Sequence, residues 1–129
     1  MINKKRLVVT ELIVYQLSRK LSVIAWKIYF AMSYEDKKHI GDQFIRSTDS
    51  IGANIVEGYS WFYFLDRVRF FYFARASQSE ATDHWLDLLI ERGKISEDLF
   101  NEYKSISKEL QIKLNNFIKR TKDENERKI

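Results

Sequence analysis

Apolar side chains recur along most of this chain at alternating steps of three and four, the spacing of one face of an α-helix. Val14, Leu17, Leu21, Ile24, Ile28 and Ala31 form an unbroken seam and predict a first helix over about 10–31. Phe44, Thr48, Ile51 and Ile55 mark the inner face of a second. It starts after Ser33, which with Asp36 is spaced as a capping box, and runs to about Glu57. Gly58 suits the left-handed position that follows a helix end. A third helix spans about Phe64 to Arg92, with Gly93 as its stop. Ser96 caps a fourth, Glu97 and Asp98 suit its first turn, and Ile95 with Phe100 forms a hydrophobic staple. Leu99, Tyr103, Ile106, Leu110, Leu114 and Phe117 supply its seam. Such short connections make each helix antiparallel to its chain neighbours. The predicted fold is all-α, an antiparallel up-down-up-down four-helix bundle forming one domain over 1–129, with 1–9 and 123–129 flexible.

Two features go beyond a plain amphipathic pattern. Beside the apolar face of the second helix lies an ordered polar stripe, Gln43, Ser47, Ser50, Asn54 and Glu57. Buried polar groups must be satisfied, so this stripe reads as a hydrogen-bond network that holds helices or subunits in register. A ligand-contacting edge is the alternative. Gly41 and Gly52 also lie inside this helix, where each costs up to ~1 kcal/mol relative to alanine. Ala74, Ala76, Ser77, Ser79 and Ala81 lie in the third. Close approach of the second and third helices is the expected compensation.

The third helix opens with a dense aromatic run. Nine aromatic residues fall within 59–73, and Phe70-Phe71-Tyr72-Phe73 are consecutive. Consecutive helical residues point about 100° apart, so one core takes only one stripe of them. Trp61, Phe62, Tyr63, Phe64, Phe70, Tyr72 and Phe73 are therefore candidates for an exposed interface. Stacking of unpaired bases is the second use, with Arg67, Arg69 and Arg75 interleaved. Farther along come Glu80, Asp83, Asp87 and Glu91, an order opposite to what the helix dipole prefers. That inversion suggests head-to-tail pairing of basic and acidic halves between subunits.

Composition narrows the rest. With 129 residues and no cysteine, the chain can bury one core and has no disulfide or thiolate chemistry. No apolar run approaches the ~20 residues of a membrane span, so a soluble, cytoplasmic protein without membrane contact is expected. Net charge is +4 and the pI is about 9.2, which permits an anionic partner. The positive excess lies at the chain ends, where Lys4, Lys5, Arg6, Lys119, Arg120 and Lys122 join Arg67, Arg69 and Arg75 as nucleic-acid candidates. Glu80, His84 and Asp87 share a helix face, but bundle metal sites draw Glu-x-x-His from two helices. No catalytic residue, metal or cofactor is predicted, since nucleophile, P-loop and dinucleotide signatures are absent.

The pattern resembles one family. Gln43, Arg46-Ser47, Ser50-Ile51, Asn54-Ile55 and Glu57-Gly58 look like the central motif of the four-helix-bundle family of ribosomal-RNA intervening-sequence proteins. Leu12, Val14, Tyr15 and Gln16 are similar to its first-helix opening. Ala74-Arg75-Ala76-Ser77 with Glu80, and Trp85-Leu86-Asp87-Leu88-Leu89, extend the resemblance to about 12–103. The resemblance implies a non-enzymatic ring-shaped homo-oligomer, often a pentamer, and association with RNA. A related basic bundle serves reverse transcriptases of diversity-generating retroelements, so a reverse transcriptase is a second implied partner. The aromatic stretch Tyr59-Ser60-Trp61-Phe62-Tyr63-Phe64-Leu65 departs from the polar loop usual in the family. The expected function is an adaptor for structured RNA or an RNA-handling enzyme. A protein-binding or purely structural homo-oligomer is the alternative.

Overall fold

A computed structural model describes residues 8–128 of the chain, and their side chains as far as Asn125. Helices make up the four long elements, and no strand occurs among the described residues. A 3-10 turn over Val9–Glu11 leads into α1, Ile13–Phe30. Helix α2 spans 34–60 as a first turn Tyr34–Asp36, a π-helical segment Lys37–Gly41 and a long part Asp42–Ser60. Helix α3 spans 64–91 in the same way, with Phe64–Ser79, a π-helical segment Glu80–Trp85 and Leu86–Glu91. Helix α4 is Glu97–Lys128. Each helix packs on its chain neighbours, and α4 returns to α1, which closes the expected four-helix bundle.

The caps behave as their chemistry dictates. Ser33 Oγ accepts from the Asp36 amide at 3.1 Å, and Ser96 Oγ from the Leu99 amide at 3.2 Å. Gly93 takes φ 68°, and the amides of Gly93 and Lys94 bond the carbonyls of Ile90 and Leu89 at 3.1 and 2.9 Å. This is the paired arrangement of a Schellman stop, which a residue with a Cβ enters under strain. Lys94 then reaches Asp36 at 3.1 Å and ties the α3–α4 turn to the start of α2.

Several boundaries differ from the sequence expectation. Leu12 is extended, so α1 starts at Ile13 rather than near 10, and Ala31 leaves the seam as an exposed cap. Helix α2 continues through Gly58 to Ser60, so Gly58 is helical and does not end it. Helix α4 runs on through the charged segment from 123, which contains no residue that breaks a helix. In α3 the buried Ala81 and Leu86 are five positions apart, a step that only the π-helical segment places on one face.

The core is the predicted seam plus its counterparts. Val14, Leu17, Leu21, Ile24, Ile28, Phe44, Ile51, Ile55, Leu110 and Leu114 are all buried. Each such aliphatic side chain contributes about 1.5–3 kcal/mol on burial. The glycines work differently from expectation. A Cβ on Gly52 would lie 2.9 Å from Ser18 Oγ, and one on Gly41 2.7 Å from Met32 Sδ. Both face α1 and its C-terminal turn, not α3. The contact with α3 belongs to Gly58, where a Cβ would lie 2.6 Å from the Phe71 ring and 3.0 Å from the Arg67 carbonyl.

Candidate nucleic-acid and assembly surfaces

The interior contains a polar layer. Thr48 on α2 and Tyr103 on α4 share a buried hydrogen bond of 2.8 Å, with the Phe44 ring 5.4 Å from the Tyr103 ring. Thr82 and Ser107 share another at 2.8 Å, and Gln78 Nε2 donates to the Ser107 carbonyl at 2.6 Å. Burial pushes the Tyr103 phenol above its ordinary value, and its bonds to Thr48 and Thr82 offset part of that. The Tyr29 phenol is also raised, first by its hydrogen bond to Asp42 at 2.7 Å.

The polar stripe of α2 is divided. Its centre links two helices: Asn54 Nδ2 donates to the Ser50 carbonyl and hydroxyl at 2.9 and 3.0 Å, and Ser77 of α3 donates to the same hydroxyl at 3.1 Å. Ser47 is buried and donates to the Phe44 carbonyl at 3.1 Å. The ends, Gln43 and Glu57, are exposed.

In the aromatic run, Phe71 enters the core and meets Phe117 edge-on at 4.9 Å. Its neighbours do not follow it in. Phe62 is 83% exposed, Leu65 77%, Tyr63 66% and Phe73 47%. Trp61 stacks on the half-buried Phe70 at 6.2 Å, and Phe70 meets Phe73 at 5.6 Å, so the surface is continuous. Phe62, Tyr63 and the half-buried Phe64 form one wall of a cleft whose other wall is Thr121, Glu124 and Asn125 of α4.

The basic candidates separate into groups. Arg75 and Lys122 converge on one ring, lying 4.8 and 5.0 Å from the Tyr72 centroid. Arg75 also donates to Asn115 at 3.1 Å. Arg67 donates to the Trp61 carbonyl and lines the aromatic cleft. Lys119 and Arg120 are exposed beside Lys113, Asn116 and Ile13, toward α1. Arg69 is held by Asp66 at 3.4 Å and lies over Phe70. Lys4, Lys5 and Arg6 lie outside the described residues. The acidic half of α3 also has partners within the chain: Glu80 accepts from the Trp85 indole at 2.8 Å, and Asp87 meets Lys104 at 3.5 Å.

One surface was missed by sequence reasoning. Between α1 and α2 runs an open groove of about 750 Å³, lined by Val23, Trp26, Ile45, Ala53 and Val56 with Arg19, Lys27 and Asp49. Trp26 is 55% exposed and lies 5.6 Å from Tyr29 and 6.1 Å from Phe30. Val23, Trp26 and Phe30 repeat at three and four, beside the core seam. That second stripe was the available signal.

No helix among the described residues is long and apolar enough to cross a membrane. The family model described as 23S rRNA-intervening sequence protein matches residues 10–116. Among solved structures, the chain is similar to a protein of unknown function from the S23 ribosomal protein family of Bacteroides thetaiotaomicron. The two are 28% identical, the match covers 83% of this chain and 96% of that one, and the TM-score is 0.76. No curated protein matches.

Proposed function

The chain belongs to the 23S rRNA-intervening sequence protein family, and from that premise we propose that it is a non-enzymatic, self-associating adaptor that binds structured RNA or an RNA-handling enzyme. The convergence of Arg75 and Lys122 on Tyr72, with Lys119 and Arg120 exposed on the same stretch of α4, carries this reading. Guanidinium and ammonium groups grouped on one helix contact phosphates and release counterions from RNA. A single subunit offers a modest field at net charge +4. Self-association repeats the patch and multiplies the phosphate contacts. The family's name points to ribosomal RNA as the first ligand to try, whereas a reverse transcriptase as partner rests on the sequence resemblance alone.

The test is binding of a labelled, structured 23S rRNA fragment across a salt series, beside an unrelated hairpin. Affinity should fall steeply with salt. Lys119→Ala, Arg120→Ala and Lys122→Ala together should lower the log–log salt slope by about two to three. Absence of binding even at low salt removes RNA and leaves a protein-binding or purely structural homo-oligomer.

A further inference from the structure

We propose that the cleft between the α2–α3 turn and α4 holds one unpaired nucleobase of an RNA strand, its face stacked on the corner made by Phe62 and Tyr63 and its edge toward Thr121, Glu124 and Asn125. The proposal rests on the RNA-binding reading above and names the part of the RNA that the subunit grips. Structured RNA displays such bases in its loops, bulges and ends.

The stacking platform is held in place. Trp61 stacks on Phe70 at 6.2 Å with the rings 10° apart. The Trp61 amide donates to the Gly58 carbonyl at 3.3 Å, and the Trp61 carbonyl accepts from Arg67. The Arg67 amide in turn donates to the Tyr63 carbonyl at 3.1 Å. The turn is thus tied to both helices, yet Phe62 and Tyr63 stay 83% and 66% exposed. The core takes Phe71 from this segment and leaves these two rings to the surface. They meet edge-on, with centroids 5.2 Å apart and planes at 85°. A planar base lies flat on one ring and abuts the other. Because the turn is already fixed, binding spends little free energy on ordering it.

The opposite wall selects a base over other ligands. The cleft measures about 430 Å³, within the ~300–1,000 Å³ of small-ligand pockets. A wholly apolar occupant would strip water from Thr121, Glu124 and Asn125 and give nothing back. A phosphate would face the Glu124 carboxylate, a like charge. A nucleobase has apolar faces and a polar edge, so it suits both walls. Asn125 can donate and accept, and Glu124 accepts from ring or exocyclic N–H groups. The Thr121 hydroxyl donates to the Phe117 carbonyl at 2.9 Å and keeps its oxygen as an acceptor. The strand's charge is met just outside. Arg67 bonds the Trp61 carbonyl through Nε, which leaves its terminal nitrogens for an adjoining phosphate. Lys122 follows Thr121 in the chain and joins Arg75 over Tyr72. Aromatic faces beside a basic track are the means by which single strands are held without pairing.

The experiment separates base from backbone. Two labelled probes of equal length and charge are titrated with the full chain: a short oligouridine, and the same ribose-phosphate chain without bases. The oligouridine should bind about 5- to 100-fold more tightly, the worth of one stacked base. Phe62→Ala with Tyr63→Ala should abolish that difference and leave the affinity for the abasic chain unchanged. Its effect should be the same between about 50 and 200 mM salt, whereas Lys122→Ala should lower the log–log salt slope by about 0.7, one phosphate on a single strand. Both altered aromatics are more than half exposed, so helical circular dichroism should be unchanged. If the double variant loses helicity, Phe62→Leu with Tyr63→Leu keeps the apolar bulk, removes the flat faces and should give the same result. Equal affinity for the two probes would overturn the base site and leave phosphate-driven RNA binding in place. A preference for oligouridine that survives in the aromatic variants would overturn the assignment to this cleft. Failure of both probes, with the 23S rRNA fragment still bound, would overturn this inference alone. Failure of every RNA at low salt would overturn it together with the RNA reading.

Discussion

Residues 43–58 and 59–73 adjoin in the chain and are used in opposite ways. In the first segment Phe44, Ser47, Thr48, Ile51, Gly52, Ile55 and Gly58 turn inward and are buried. In the second, only Val68 and Phe71 are, although its apolar content is higher. Hydrophobicity alone does not separate them. Spacing does: the first places its apolar groups on one stripe, whereas consecutive aromatics occupy the whole circumference of a helix turn. The first segment therefore specifies the bundle, and the second determines what the bundle presents to its surroundings.

The largest expected effect tests that division directly. Phe44→Ala should cost about 3–5 kcal/mol in urea unfolding, as truncation of a fully buried ring does. Phe62→Ala, at 83% exposure, should change stability by no more than about 0.5 kcal/mol. Comparable losses in the two variants would remove the distinction. Next in size is Gly58, where the segments touch. Gly58→Val drives a side chain into the Phe71 ring and should cost about 1–3 kcal/mol, partly regained when Phe71→Leu is added. A neutral Gly58→Val would mean that α2 and α3 separate freely there.

Much of the architecture was legible in the sequence because it rests on local rules. The seams, the Ser33 and Ser96 caps and the Gly93 stop each depend on residues within a turn or two of each other. The errors came from contacts made across helices. Gly58 suits a helix end by residue type, yet it stays helical because Phe71 lies against it, and Gly41 and Gly52 face α1 and its C-terminal turn rather than α3. The π-helical segments shift register without a proline, and the second, Glu80–Trp85, has no glycine either. At the candidate surfaces, Trp61, Phe62, Tyr63 and Phe73 are exposed, as the spacing implies for most of the run, whereas Phe64, Phe70 and Tyr72 are half-buried. The meeting of Arg75 and Lys122 on Tyr72 joins two helices far apart in the chain, beyond the reach of pattern.

A third test concerns the polar layer beneath both segments. Tyr103→Phe deletes the hydroxyl that Thr48 needs and should cost about 1–3 kcal/mol, the penalty of a buried group left unpaired. Its pH dependence has a definite sign. Burial holds the Tyr103 phenol protonated above its ordinary 10.0, so the unfolded chain releases that proton first. Stability from this group is complete below pH 10 and is lost as pH rises beyond it, by about 1.4 kcal/mol per pH unit for one proton. Chemical unfolding between pH 9 and 11 should show a steeper alkaline decline in the unaltered chain than in the Tyr103→Phe variant. Parallel declines would contradict a buried phenol at this position.

The smallest expected effect decides what the polar stripe is for. Ser50 receives hydrogen bonds from Asn54 on its own helix and from Ser77 on α3. In Ser50→Ala, Asn54 keeps the Ser50 carbonyl and the half-exposed Ser77 turns to water. The loss should therefore be about 0.5–1 kcal/mol, a single net hydrogen bond. A double-mutant cycle with Ser77→Ala should give a coupling of about 0.5 kcal/mol if the pair fixes α2 against α3. The exposed ends of the stripe are the contrasting case. If Gln43→Ala with Glu57→Ala lowers the mass of the assembled protein while Ser50→Ala leaves it unchanged, the same stripe holds helices at its centre and subunits at its ends. If neither variant changes mass, the register the stripe sets lies within one subunit.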